Sequence, residues 1–343
     1  MIDVLATLCL LDAPGLCAAR AVPVGTATCA EAITAAAPRL DAWRRAHRVE
    51  DLRCGTLDAA PLALEEVRPG LLVHRGAVAL ADAANGGDIG NVAVVVGEEA
   101  VAVIDAGGSR ATGEAVVAAV RARTALPIRA LILTHGHPDH VFGATALADA
   151  GAEVLGHARL PDALAARAEG FVEQGLRQVG AGFVGSEAPV IDRTVDDLAL
   201  VDLGGRVLEV RAWPVAHSEA DVAVLDRATG TLIAGDLVFD DHLPTLDGSL
   251  GGWLGVLDEM EGLAATAAVP GHGGPLLPWP EGAAPERRYL RALEHDLRAL
   301  LAEGATVGEA AGAAAAGEAG AWSLFEEHNP RNATAAYTEL EWE

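Results

Sequence analysis

Lysine is absent from the 343-residue chain, so all 24 of its Lys and Arg side chains are arginines, set against 49 acidic residues for a formal charge of −25. Without lysine there is no Schiff-base catalysis and no Walker-type phosphate loop, and Gly107-Gly108 reads as a tight turn, not a nucleotide cradle. So anionic a surface also argues against nucleic acid as a partner, because affinity for a phosphate backbone comes largely from basic groups that release counterions. Aromatic residues make up only 4% of the chain. No apolar run reaches the length of a membrane span, and no internal repeat has a fixed period. Met1 to Leu5 lacks the positive region that opens a secretory signal, and Asp12 and Pro14 interrupt the apolar stretch that follows. Cysteine is scarce and confined: Cys9, Cys17, Cys29 and Cys54 all fall in the first 54 residues.

A hydrophobic content of 51% is enough to bury a full-sized core. The chain divides into a small cysteine-bearing region, 1–62, and a large one, 63–343, with Pro61 to Pro69 as linker. In the first region the pattern predicts a strand over Val4 to Leu10, a helix from Cys29 to Ala36 or beyond, and Trp43 in the core. In the second, β-branched runs at Leu71 to Val73, Val92 to Val96, Val101 to Ile104, Val207 to Val210 and Val222 to Leu225 predict strands. Helices are predicted over Ala111 to Arg123, Gly143 to Ala150 and Leu160 to Val179. Leu290, Leu293, Leu297, Leu300 and Leu301 recur at helical spacing as a core-facing stripe. Ala310 to Ala321 reads as a small-residue helix or a loop. Strands alternating with helices imply an α/β chain whose sheets are covered by helices on both sides.

Seven potential metal ligands lie in four islands. Thr134-His135-Gly136-His137-Pro138-Asp139-His140 follows the apolar run Ile128 to Leu133, while His217, Asp236 and His272 each follow an apolar stretch, so four strand ends are expected to converge on one edge. Five of the eleven histidines fall into this pattern. Imidazole and carboxylate suit zinc, iron or manganese, whereas four thiolates would signal a closed structural site. Seven ligands suffice for two open sites, and two metals about 3.5–4 Å apart can share a hydroxide and clamp a reacting oxygen. Asp139 and Asp236 are the residues expected to orient that nucleophile. Asp105, in Val101-Ala102-Val103-Ile104-Asp105, is a candidate to orient the histidine loop, or alternatively to cap the following helix. Asp240, Asp241 and His242, with Asp247 and Trp253, are candidates for a substrate rim. For His157 and His242 a structural role is the simpler reading.

The ordered set His-x-His-x-Asp-His, then His, Asp and His, resembles the metallo-β-lactamase superfamily. The resemblance implies an αββα sandwich with a small N-terminal cysteine-containing domain. It also implies that His135, His137 and His217 bind one metal, that Asp139, His140 and His272 bind the second, and that Asp236 bridges them. Asp247-Gly248-Ser249-Leu250-Gly251-Gly252-Trp253-Leu254, Pro270-Gly271-His272-Gly273-Gly274, Arg287-Arg288-Tyr289-Leu290 and Glu339-Leu340-Glu341-Trp342-Glu343 are similar to segments of the quinoprotein relay system zinc metallohydrolases of the second type, as is Thr7-Leu8-Cys9-Leu10-Leu11 with the other three cysteines. That likeness implies a bacterial, periplasmic enzyme with two Zn2+, associated with a PQQ-dependent dehydrogenase or a c-type cytochrome. The likeness supplies no substrate; the site's own chemistry suggests a small molecule with an ester, thioester, lactone or lactam-like carbonyl, open to attack by a metal-held hydroxide. A Ser218 stands where Thr is expected after the histidine, and Ala220 where Asn is expected before Asp221.

Four clustered cysteines suggest two disulfides and an oxidising compartment. They allow three connectivities, of which Cys9–Cys17 with Cys29–Cys54 is preferred; four reduced cysteines in a cytoplasmic protein are the alternative. Two other functions stay open: a mononuclear persulfide dioxygenase with one Fe2+ on His135, His217 and Asp236, and a non-catalytic docking module stabilised by its metal.

Overall fold

The computed structural model describes residues 1–343. At the N-terminus, β1 (Ile2–Leu10) and β2 (Cys17–Thr26) form a hairpin, α1 (Cys29–Ala46) packs across it, and β3 (His47–Gly55) pairs with the other edge of β1. Helix α1 begins where Thr28 and Glu31 cap each other's backbone N–H groups, and Leu40 and Trp43 bury its inner face. Cys9 and Cys17 are directly opposed in the hairpin and disulfide-bonded, and Cys29–Cys54 ties the start of α1 to β3.

Two larger sheets follow. The first is built from β4 (Glu65–Arg68), β5 (Leu71–His74), β6 (Val92–Val96), β7 (Val101–Ile104), β8 (Ile128–Ile132), β9 (Glu153–His157) and β10 (Arg193–Val195), in the order β10-β9-β8-β7-β6-β5-β4. The strands from β7 to β10 are parallel, with α2 (Arg110–Arg123), α3 (Pro138–Val141), α4 (Ala144–Asp149) and α5 (Leu160–Val179) in their connections. The second sheet runs β11 (Leu198–Asp202), β12 (Val207–Ala212), β13 (Val222–Asp226), β14 (Thr231–Phe239), β15 (Ala267–His272) and β16 (Leu277–Pro278), with α6 (Leu250–Met260) crossing between the parallel β14 and β15. Helices α7 (Ala284–Ala302), α8 (Val307–Ala313) and α9 (Phe325–Glu341) complete the chain.

Strand periodicity explains the layering. In β6, Val92 and Val94 face a helix-covered core while Ala93 and Val95 face the core between the two sheets; in β7, Val101 and Val103 pair with the first set and Ala102 and Ile104 with the second. The outer face of the second sheet is covered by α6 to α9, whose Leu290, Leu293 and Leu297 are fully buried there. The result is the expected αββα sandwich. Two expectations need correction. The Pro61 to Pro69 segment is not merely a linker, because Glu65–Arg68 pairs with β5 as the sheet's edge strand. Within Ala310 to Ala321 the helix stops at Ala313 and a 3-10 turn occupies Ala316–Ala321.

The N-terminal sheet is fixed to the sandwich by Arg110. This side chain is fully buried, ion-paired with Glu114 and Asp149, bonded to the Ala21 carbonyl, and lies under the Trp43 ring. A buried guanidinium is tolerated only with such complete pairing.

Candidate metal centre

The four islands meet at one end of the sandwich, but not as four ends of one sheet. His135 lies in the turn after β8, His137 caps α3, and Asp139 and His140 sit within it. His217 lies in the connection between β12 and β13. Asp236 is inside β14, where the pairing with β15 slips between Gly235 and Phe239, and His272 ends β15. Close approach is required here. Gly235 has φ of +54°, and a Cβ on Gly271 would stand 1.9 Å from Asp236 Oδ1.

Two groups of ligand atoms result, each within 4.8 Å of one another: His135, His137, His217 and Asp236, then Asp139, His140 and His272. In the first, His137 Nδ1 lies 3.0 Å from both His135 Nε2 and His217 Nε2. Asp236 Oδ2 lies 3.7 Å from His135 Nε2 and 3.5 Å from His217 Nε2. In the second, Asp139 Oδ2 is 3.4 Å from His140 Nε2 and 3.2 Å from His272 Nε2. Asp236 also faces this group, with Oδ1 3.2 Å from His140 Nε2 and Oδ2 3.4 Å from His272 Nε2. Bonds of about 2.0–2.1 Å to a tetrahedral ion place neighbouring ligand atoms roughly 3.3 Å apart, so these separations fit cation coordination.

In four of the five histidines the outward-facing nitrogen is held by an acceptor, which leaves the inward one as a lone pair; His272 Nδ1 is buried without a partner. His217 Nδ1 donates to the Thr245 carbonyl at 2.7 Å, His137 Nε2 to Asp247 at 3.0 Å, and His140 Nδ1 to Asp105 Oδ2 at 2.9 Å. His135 Nδ1 lies 3.0 Å from Thr134 Oγ1, whose own proton goes to Asp105. Asp105 also accepts from the Thr134 N–H, so it binds the histidine turn at three points. The cap of α2 is Ser109, not Asp105. Ser218 donates through both N–H and Oγ to buried Asp221, bracing the turn beyond His217, and burial pushes Asp221 up to about 7.

The electrostatics call for positive charge. Burial lowers His135, and takes His217 down to about 3. At His140 and His272 burial acts in the same direction, but the Asp236 and Asp139 carboxylates outweigh it, raising His272 to about 9. Those carboxylates are held well below their usual range against the opposing effect of burial. His140 Nε2 and Asp236 Oδ1 are buried without a hydrogen bond. Cations in the centre would satisfy these atoms without protons.

The rim candidates separate. Trp253 is not at a rim: it is fully buried on the core face of α6, donates to the Leu237 carbonyl, and supports the His217 ring at 5.2 Å between centroids. His242 is buried, bonds the Leu243 carbonyl and packs on His272, while His157 accepts from the Arg159 N–H. Asp240 accepts from the Gly274 N–H, and Asp241 from the Ser323 hydroxyl. Asp247 does reach the centre, bridging His137 and Arg167; their hydrogen bonds keep its carboxyl below the usual range although burial opposes them. Beside the centre lie cavities walled partly by Arg167, Gln174, His328 and Arg331, none of which carries a motif that marks it in the sequence.

The profile of the Metallo-beta-lactamase superfamily matches residues 85–272, more than half of the chain. No curated protein matches it. Among solved structures, the sec-alkylsulfatase Pisa1 from Pseudomonas sp. is similar with a TM-score of 0.60 and 17% identity, over 81% of this chain and 50% of the sulfatase, so the chain spans about half the length of that protein. A metallo-beta-lactamase family protein from Thermus thermophilus gives a TM-score of 0.59 at 23% identity, over 80% of this chain and 93% of its own. A beta-lactamase domain protein from Burkholderia ambifaria gives 0.59 at 23%, over 83% and 90%. These identities speak for the fold alone. With the profile match, the αββα layering and a His/Asp centre at the end of the sandwich, the chain belongs to the metallo-beta-lactamase superfamily.

Proposed function

We propose that the protein is a dinuclear zinc hydrolase acting on an ester, thioester or lactone carbonyl. The observation that carries this reading is the position of the Asp236 carboxylate, within 3.2–3.7 Å of histidine nitrogens from both ligand groups. His135, His137 and His217 would hold one ion, Asp139, His140 and His272 the other, and Asp236 both. Two such ions supply a water activated near neutral pH and a Lewis acid for the carbonyl oxygen. The chain's own part is orientation. Asp139 and Asp236 would accept a hydrogen bond from the attacking water, while Asp105 and Thr245 fix the tautomers of His140 and His217 and Asp247 holds His137 in place. A lone ion on His135, His217 and Asp236 would leave Asp139, His140 and His272 without a task.

Metal analysis of protein purified without chelator is expected to give about two zincs per chain. About one iron and little zinc would instead point to the dioxygenase chemistry. Asp236→Asn should lower hydrolysis by about a hundredfold or more and leave roughly one zinc bound; full activity in that variant would refute its bridging role. Ester, thioester, lactone and lactam probes identify the reacting class, and a secondary alkyl sulfate belongs in the screen because one structural neighbour is a sec-alkylsulfatase. The two disulfides support a periplasmic location. Association with a PQQ-dependent dehydrogenase or c-type cytochrome rests on the sequence resemblance, and a pull-down from periplasmic extract tests it.

A further inference from the structure

Two cavities adjoin at Asp139. One, of about 210 Å³, has His137, Arg167 and Asp247 in its wall; the other, of about 490 Å³, extends past Phe171 and Gln174 to Leu80 and Ile89. The larger is an ordinary size for a small-molecule site. His328 and Arg331 line both. They stand three residues apart in α9, so they share one helix face.

Helix α9 lies beyond the matched span 85–272, yet it is bonded to the segment that orients the metal centre. Asn332 Nδ2 donates to the Pro244 carbonyl at 2.6 Å, and its Oδ1 accepts from the Leu246 N–H at 2.9 Å. The residue between those two, Thr245, holds His217, and the residue after them, Asp247, holds His137. Arg331 immediately precedes this anchor. Its backbone is therefore set relative to two of the proposed ligands, as a recognition residue requires.

Charge makes the placement informative. The chain carries −25, a field that repels anions, yet two guanidinium groups line the mouth of the centre. Arg167 is already paired with Asp247. Arg331 is exposed and makes no ion pair or hydrogen bond within the protein, although Glu327, one turn earlier, also lines the larger cavity. Gln174 and Gln178 add amide donors to the larger cavity, and Phe171, Leu80 and Ile89 give it apolar surface. An unpaired planar fork of N–H donors suits an oxyanion.

We propose that the substrate carries an anionic group, a carboxylate or a sulfate-like oxyanion, which Arg331 of α9 binds while the scissile carbonyl reaches the metal centre. This rests on the hydrolytic reading of that centre, so the test has two arms. In the first, kcat/KM of the zinc-loaded protein is measured for neutral S-phenyl thiobutanoate. It is compared with S-phenyl monothiosuccinate, S-butanoyl-4-mercaptobenzoate and S-butanoyl-4-mercaptobenzenesulfonate, which carry the charge on the acyl or the thiol side. At least one anionic probe should exceed the neutral one by about tenfold or more. Arg331→Met should abolish that ratio and Arg331→Lys restore part of it. An anionic-to-neutral ratio near one in the wild type, or a preference that survives in Arg331→Met, overturns the proposal. In the second arm, calorimetry follows binding of the non-hydrolysable 4-(phenylsulfanyl)butanoate and 4-(butylsulfanyl)benzoate to the zinc-loaded wild type and Arg331→Met. If no thioester is turned over, the hydrolase reading fails for that class and this arm decides alone. Binding weakened about tenfold in the variant supports the anion site, whereas equal affinity, or none in the wild type, refutes it.

Discussion

Asp105 shows how one side chain sets the chemistry of several. Three hydrogen bonds from Thr134 and His140 end on it, so the tautomer of His140 and the path of the histidine turn depend on one carboxylate with φ of +61°. Gly271 matters for the opposite reason: any Cβ would collide with Asp236, and no metal-site motif displays that need. Glu286 in α7 gives a prediction about stability. It is fully buried, and burial raises its pKa well above that of an ordinary glutamate, outweighing the Phe239 backbone N–H that favours the carboxylate. A folded-state pKa above the unfolded value means that the native protein binds the extra proton, so stability is lost as pH climbs past about 4.5 toward the raised value. Glu286→Gln should flatten the fall of Tm as pH rises above about 4.5. An unchanged slope would show that Glu286 is not the source.

At the scale of elements, the N-terminal sheet depends on its cross-links and its clamp. Closing loops over 8 and 25 residues constrains the unfolded chain, and each disulfide is expected to contribute about 2–4 kcal/mol. Replacing Cys29 and Cys54 by serine should therefore lower Tm while leaving the zinc content of the folded protein unchanged, because β3 lies outside the sandwich that carries the ligands. Zinc lost in step with the disulfide would mean that the sheet helps build the centre. Helix α9 offers a contrast. Its Asn332 matches a glycosylation acceptor in sequence, yet that residue is buried and doubly bonded to the 244–246 segment, so it cannot accept a sugar in the folded chain.

For the whole molecule, the centre is a point of stored electrostatic cost. Seven candidate ligand side chains are brought together at the two sheets, with imidazole nitrogens 3.0 Å apart and the Asp236 carboxylate buried. A cation that binds only the folded state stabilises it by mass action, about 4 kcal/mol at a thousandfold excess over Kd. Removing metal with a chelator should lower Tm by several degrees, and adding zinc back should restore it; a Tm indifferent to both would count against a metal at this site.

The sequence alone was enough for the candidate His/Asp set and its order, the strand and helix alternation and the two-disulfide framework, because each is a local property. Period-2 and helical patterns record which face is buried, and a turn of four ligands within six residues is legible without a fold. Trp253 and the neighbours of Asp105 were not legible in this way. The sequence placed Trp253 at a rim because it follows the acidic run, whereas the packing of α6 on the second sheet turns it into the core beneath His217. That four islands meet between two sheets, that Gly271 must lack a Cβ, and that α9 brings Arg331 to the cavity all depend on contacts between distant segments. Only the tertiary structure decides these, since chain separation carries no information about which surfaces must be buried against each other.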